Sequence, residues 1–249
     1  MENKLIVAHR GASLDSPGNT MAAYRRAIEL GADMIELDVR RTKNARLIAY
    51  HDADISGKRI DSLTLGEIRE LSRGLEIPTL EEVFELAKKR IRLDVELKDE
   101  NHEEEVVDLA LKHMSLEEFM ITSFNDHSLR VVKERYPEVT VGLILGKERP
   151  KNVVGTRLSE LFPMRRCRRA KADILIPHWK LIRFGFLRRA KKHRKSVIVW
   201  TVNERAMLFK FLENDGIDGI MTDVPDLALT LRNEIQSGHG SAAMPPMTT

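Results

Sequence analysis

The sequence predicts an α/β fold, a TIM-type (β/α)8 barrel with one extra antiparallel strand returning after the second barrel strand. Three observations predict it. Short β-rich runs alternate with longer helical patterns from Leu5 to Ile235. Eight of these runs are separated by stretches long enough for a parallel crossover. A ninth run, Leu47–His51, follows its predecessor too closely for one, because such a connection takes about a dozen residues.

Leu5–His9 is a compact apolar strand, and Thr20–Leu30 carries a helical period that stops at Gly31. Met34–Arg40 is the second barrel strand. Leu47–His51 is joined to it only through Lys43–Arg46, so the pair reads as a hairpin turning near Asn44. Helical patterns follow at Thr64–Arg73 and Leu80–Arg90, the second entered through Pro78 and Thr79. From Arg92 the alternation is regular. The strands are Arg92–Leu97, Phe119–Ser123, Thr140–Leu145, Asp173–Pro177, Ser196–Thr201 and Gly219–Thr222. The helices between and after them are Glu103–His113, His127–Tyr136, Leu181–His193, Glu204–Asn214 and Asp226–Ile235.

A chain of 249 residues with 42% hydrophobic side chains suits one barrel domain, assigned to residues 1–236. The tail from Ser237 to Thr249 has no apolar period and reads as disordered. The net charge of +3 and the lack of helix-turn-helix, zinc-knuckle or stacking-sheet signatures argue against nucleic acid as a partner. Charge is nevertheless uneven: between Arg157 and Lys195 the only acids are Glu160 and Asp173. That stretch reads first as a solvated helical face, and second as a surface attracting anionic substrates or lipid headgroups. Cys167 stands alone, no signal peptide is evident and no run approaches a membrane span, so a soluble cytoplasmic protein is expected. Oligomeric state is not legible.

In such barrels the chemistry lies at the C-terminal ends of strands. There the sequence has His9, Arg10 and Gly11 after the first strand, Glu36 and Asp38 on the second, and Glu96 and Lys98 on the third. Ser123, Thr201, Asn203, Thr222 and Asp223 end later strands. Residues two apart on a strand share a face, so Glu36 and Asp38 project together and Glu96 joins them from the neighbouring strand. Three buried acids are costly unless neutralised; ion pairs with Arg10, Arg40 or Lys98 are the bland account, and a hard cation the sharper one. Oxygen ligands of this kind suit Mg²⁺ or Ca²⁺ rather than zinc, with Mn²⁺ also admitted. The hairpin brings His51 opposite Asp38 or its neighbour, so His9 and His51 meet beside the acids as a candidate acid and base. His102, His113, His127, His178, His193 and His239 lack such company and read as surface or packing residues.

Taken in order, His9-Arg10-Gly11, Pro17-x-Asn19-Thr20, Glu36-Leu37-Asp38-Val39, His51-Asp52 and Glu96-Leu97-Lys98 resemble the glycerophosphodiester phosphodiesterases. Ser123-Phe124, Trp200-Thr201-Val202-Asn203 and Asp218-Gly219-Ile220-Met221-Thr222-Asp223-x-Pro225 extend the resemblance over most of the chain. It implies a barrel hydrolase that splits a small-molecule glycerophosphodiester into glycerol 3-phosphate and an alcohol. It further implies Glu36, Asp38 and Glu96 as ligands of one divalent cation, His9 and His51 as the acid/base pair, Arg10 and Lys98 on the phosphate, and Trp200 beside the carbon skeleton. Two positions depart from the family pattern. Gly18 stands where the family carries a glutamate, which bears on how Arg10 is oriented. The segment from Asp52 to Leu63 is short, which implies an open rim. The alternatives are a lysophospholipase D acting on lipid-sized diesters, with peripheral contact to anionic lipid, and a barrel that binds diesters without cleaving them.

Overall fold

A computed structural model describes residues 3–14, 16–146 and 152–238. The strands are β1 (Leu5–His9), β2 (Met34–Arg41), β3 (Leu47–Ala49), β4 (Asp54–Ile55), β5 (Lys58–Arg59) and β6 (Arg92–Leu97). They continue as β7 (Phe119–Ser123), β8 (Val141–Leu145), β9 (Ile174–Pro177), β10 (Ser196–Val199) and β11 (Gly219–Thr222). The helices are α1 (Met21–Leu30), α2 (Leu65–Leu71), α3 (Leu80–Ala87), α4 (Glu103–His113), α5 (Asp126–Arg135) and α6 (Val153–Leu161). After them come α7 (Met164–Ala170), α8 (Phe186–Lys192), α9 (Arg205–Leu212) and α10 (Pro225–Gln236).

Eight strands form the expected ring, each parallel to the next in the order β1-β2-β6-β7-β8-β9-β10-β11. β1 closes it, with His9 opposite Glu36 on one side and Leu5 opposite Gly219 on the other. β3 is the ninth strand, antiparallel to β2 outside the ring, with Val39 opposite Ala49. Its turn is fixed by Thr42, whose N–H donates to Arg46 O and whose hydroxyl accepts from Arg46 N, while Ala45 takes a left-handed φ of 58°.

Alternation along each strand sorts the side chains into two layers. Val7, Met34, Met120, Ile144, Ile176, Ile198 and Met221 fill the barrel interior. Their neighbours, including Ile35, Leu37, Val95, Ile121 and Leu143, face the helices. Helix starts follow local chemistry. Thr20 caps α1 through Ala23 N, and Thr64 with Glu67 and Thr79 with Glu82 build capping boxes on α2 and α3.

The structure departs from the sequence reading at four places. β3 stops at Ala49, so His51 lies beyond the strand, in the irregular segment that follows it. The segment after His51 folds into the β4–β5 hairpin, whose two-residue turn, Ser56-Gly57, has both residues at positive φ. Two helices, α6 and α7, stand between β8 and β9. The helix expected from Leu181 begins only at Phe186, because Phe184 and Gly185 both take left-handed φ values, 50° and 71°. Of the tail expected to be disordered, all but Ser237 and Gly238 lies outside the described residues, as does His239.

Candidate active site

At the C-terminal ends of the strands the barrel opens into a cleft of about 1190 Å³. His9, Arg10, Glu36, His51, Glu96, Lys98 and Trp200 all line it. Asp38 lies just beneath, fully buried.

Glu36, Asp38 and Glu96 converge as the strand pattern predicts, each offering a carboxylate oxygen within 4.8 Å of the others. β2 and β6 align Glu36 with Asp94 and Asp38 with Glu96, so four acids stack on two neighbouring strands. Burial pushes the Glu36 carboxyl well up, and the charges of Asp38 and Glu96 add to it. Burial also raises Glu96, against the pull of Lys98. Asp38 behaves oppositely: burial acts upward but is outweighed by Lys98 and Arg10, which hold it far below the usual carboxylate range. Lys98 Nζ lies 2.9 Å from Asp38 Oδ1 and 2.8 Å from Glu96 Oε1. Arg10 Nε lies 3.0 Å from Asp38 Oδ2, a charge contact without hydrogen-bond alignment.

Glu36 Oε1 is buried and accepts no hydrogen bond from the described residues, whereas Asp38 Oδ1 has the Lys98 ammonium as its partner. An orphaned carboxylate oxygen in a three-acid cluster is one that a hard divalent cation would satisfy, so the residues fit such an ion. The ion pairs of Arg10 and Lys98 leave Glu36 Oε1 unsatisfied, so the bland account does not complete the site.

His9 ends β1 and is held by a carboxylate from the other side of the barrel closure. Its Nδ1 lies 2.7 Å from Asp223 Oδ1, and its Nε2 faces Glu36 Oε2 at 3.9 Å. Asp223 is fixed in turn by the Ser13 hydroxyl at 3.1 Å and the Asn203 amide at 2.6 Å. These donors and His9 outweigh burial and bring Asp223 down to about 2. His51 has its Nδ1 2.8 Å from Asp52 Oδ1. Its pKa is lowered, first by burial, then by Lys98 and Arg10, against the opposing charge of Asp38.

Several contributors were not identified from the sequence. In the sequence Asn19 stands out only as part of a motif. Its amide donates to Asp38 Oδ2 at 2.7 Å, while its Oδ1 accepts from Asp38 N at 3.2 Å and from the Tyr24 hydroxyl at 3.0 Å. Its left-handed φ of 59°, which Asn tolerates better than most residues, is the signal that marks it. Arg40, considered as an ion-pair partner for the cluster, instead holds the His51 backbone. Its Nε and Nη2 donate to His51 O at 3.0 and 2.8 Å, and Nη1 to Asp99 at 2.6 Å.

Gly18 packs directly under Arg10: a Cβ there would sit 2.9 Å from Arg10 Cβ. Arg10 therefore lies across the bare backbone of the loop, with its own N–H donating to Glu36 Oε2 at 3.0 Å. Trp200 forms an apolar wall, its indole N–H shared between Leu145 O and Ile176 O at 3.0 and 2.9 Å and its ring in a T-shaped contact with Phe124. Ser123 also lines the cleft, its hydroxyl donating to Leu97 O at 2.8 Å.

Among the remaining histidines, His178 packs edge-on against Trp200, and His127 lines the outer cleft beside Arg130. His127 is thus nearer the site than its sequence setting implied. His113 pairs with Glu85 away from the cleft.

The model of the glycerophosphoryl diester phosphodiesterase family matches residues 9–227. A glycerophosphodiester phosphodiesterase of Caldanaerobacter subterraneus subsp. tengcongensis is 34% identical, the match spanning 94% of this chain and 98% of that one. The crystal structure of a glycerophosphodiester phosphodiesterase from Parabacteroides distasonis superposes with a TM-score of 0.78 at 27% identity, over 94% of this chain and 98% of that one. A glycerophosphodiester phosphodiesterase from Thermotoga maritima gives 0.74 at 25% identity, over 93% and 99%. The chain belongs to the glycerophosphoryl diester phosphodiesterase family, and with it to the phosphodiester-hydrolysing enzymes.

Proposed function

We propose that the protein hydrolyses glycerophosphodiesters to glycerol 3-phosphate and an alcohol, with His9 and His51 as the acid/base pair and one divalent cation held by Glu36, Asp38 and Glu96. The observation that carries this reading is the meeting of that three-acid cluster with both histidines in one cleft. Bound to the three carboxylates, Mg²⁺, Ca²⁺ or Mn²⁺ supplies positive charge against the phosphoryl oxygens.

The remaining roles belong to the chain. Arg10 and Lys98 place two cations at the floor of the cleft, where a phosphodiester gathers negative charge on its way to the transition state. Asp223 accepts from His9 Nδ1–H and so leaves Nε2 turned toward the cluster, free to exchange a proton with the reacting oxygen. His51, held through its backbone by Arg40, supplies the second proton exchange; one histidine takes the proton of the attacking oxygen while the other protonates the departing alkoxide. The Trp200 and Phe124 rings give the carbon skeleton an apolar wall. A reducing, cytoplasmic setting fits Cys167, which is buried and unpaired.

His9→Ala and His51→Ala are each expected to lower turnover of glycerophosphocholine by roughly 10²–10⁴-fold with the fold intact. A chelator is expected to abolish wild-type turnover until a divalent cation is restored. Near-wild-type activity in both variants would refute the histidine assignment, and indifference to chelation would refute the cation.

A second reading, a lysophospholipase D, draws on the size of the cleft, about 1190 Å³, whose lining runs from the acid cluster past Phe124 to Arg130 and Arg169. Hydrolysis of lysophosphatidylcholine at a rate matching that of glycerophosphocholine would favour it.

A further inference from the structure

Among the described residues seven large apolar side chains are exposed, and their placement is not scattered. Val153, Val154 and Leu158 stand on α6, Phe162 at its C-terminal end, and Phe184 in the loop after β9, all between 53% and 71% exposed. A sixth, Leu14, is 71% exposed in the loop after β1. Each belongs to a connection leaving the C-terminal end of a barrel strand, the end that carries the cleft.

Val154, Leu158 and Phe162 recur every four residues and so follow one stripe of the helix. Arg189 joins that stripe to Phe184. Its Nη2 donates to Leu161 O at 2.7 Å, its Nη1 to Phe184 O at 2.5 Å, and its guanidinium lies 4.5 Å from the centre of the Phe162 ring. The rim is also continuous with the cleft, since Phe124, Arg166 and Arg169 border both the cleft and a side depression that Phe162 lines.

The exposed charge around this rim is predominantly positive, the Asp126 carboxylate at the cleft edge being taken up by Arg166 and Arg169. From Arg157 to Lys195 there are fourteen lysines and arginines, of which Lys171 and Lys195 lie beside Asp173, away from the rim, against two acids. Glu160 is buried and paired with Arg157, and Asp173 pairs with Lys133 near the opposite end of the barrel. Arg165, Arg168, Lys180, Arg183 and Arg188 are all exposed. Apolar side chains interleaved with arginines on an outward-facing rim are the anatomy of a surface that sits in a headgroup layer, where the rings and aliphatics enter the acyl boundary and the cations meet acidic lipids.

We propose that this rim docks onto an anionic lipid bilayer, with the α6 stripe and Phe184 inserted and the mouth of the cleft turned toward the lipid. Docking stands independently of the catalytic assignment. Only its consequence, delivery of lipid-borne diesters past Phe124 to the cleft, rests on that reading.

Co-sedimentation of the full chain with vesicles tests it. The wild-type protein is expected to partition onto vesicles of phosphatidylcholine and phosphatidylglycerol in equal parts, to bind pure phosphatidylcholine weakly, and to be released by high salt. The triple variant Val154→Ser, Leu158→Ser, Phe184→Ser is expected to lose about tenfold or more in partitioning, while its hydrolysis of soluble glycerophosphocholine stays at the wild-type rate. Equal binding to both vesicle types, or undiminished binding by the triple variant, would overturn the proposal. So would a wild-type dimer that the triple variant dissolves without either protein binding vesicles, because the rim would then be a protein interface. If vesicle binding behaves as expected while no protein cleaves glycerophosphocholine, the catalytic reading falls and the docking surface stands.

Discussion

Gly18 shows how one missing side chain shapes the site. The family pattern places a glutamate there, and its absence raises the question of what orients Arg10. Here Arg10 lies against the bare backbone of the loop, its Cβ 2.9 Å from where any Cβ of residue 18 would fall. That distance is too short for two carbons, and neither belongs to a flexible tip. Gly18→Ala is therefore expected to displace Arg10 from Asp38 and to raise the KM for glycerophosphocholine severalfold, with a smaller effect on kcat. Steady-state kinetics of the variant check this. An unchanged KM would mean that Arg10 either has room to shift or does not bind the phosphate.

At the scale of elements, the β2–β3 hairpin is what carries His51 to the cluster, and Arg40 is the tie that holds it there. β3 ends at Ala49, and the last backbone bond to β2 is from Tyr50 N–H to Asp38 O at 2.9 Å, one residue short of His51. Arg40 holds the backbone of His51 itself, donating twice to His51 O from a buried position on the same face as Glu36 and Asp38. A planar fork is needed for that contact, which lysine lacks. Arg40→Met and Arg40→Lys are both expected to lower kcat by about 10–100-fold through misplacement of His51, with KM little changed. A lysine variant with wild-type kcat would show that charge alone, rather than the forked contact, is what matters.

The same hairpin illustrates what the sequence reveals and what it does not. The eight-strand ring and the return strand are legible because strand and helix periods are local and crossover lengths are constrained. The convergence of Glu36, Asp38 and Glu96 is legible because strand alternation carries it. The partner of His9 is not. His9 and Asp223 are 214 residues apart and meet only because the barrel closes between β1 and β11. α6 and α7 escape notice because α6 has most of its apolar side chains exposed, which removes the core-facing stripe that marks a helix. The delayed start of α8 depends on two consecutive left-handed residues, of which Phe184 carries no sequence signal for that conformation.

For the molecule as a whole, the site's acidity reaches into the barrel core and sets a stability cost. Asp94 sits one step below Glu96 on the inward face of β6, fully buried, with Oδ1 accepting from the Thr122 hydroxyl at 2.6 Å and Oδ2 without a partner among the described residues. Burial raises its carboxyl to about 8, against the Thr122 hydrogen bond. In the folded protein it is therefore neutral at pH 7, whereas in the unfolded chain it ionises near its ordinary value of about 4. The unfolded state thus releases a proton that the folded state keeps. The sign follows: the folded state is favoured most below about pH 4 with respect to this group, and stability is lost progressively as pH rises toward about 8. Asp94→Asn keeps an oxygen for Thr122 and removes the ionisation. Thermal or denaturant unfolding across this range is expected to show the stability of the variant relative to wild type rising steadily from pH 5 to pH 8, by at most roughly 1.4 kcal/mol per pH unit. Parallel stability curves for the two proteins between pH 5 and pH 8 would show instead that Asp94 is ionised in the folded barrel and balanced by a charge that the present contacts do not supply.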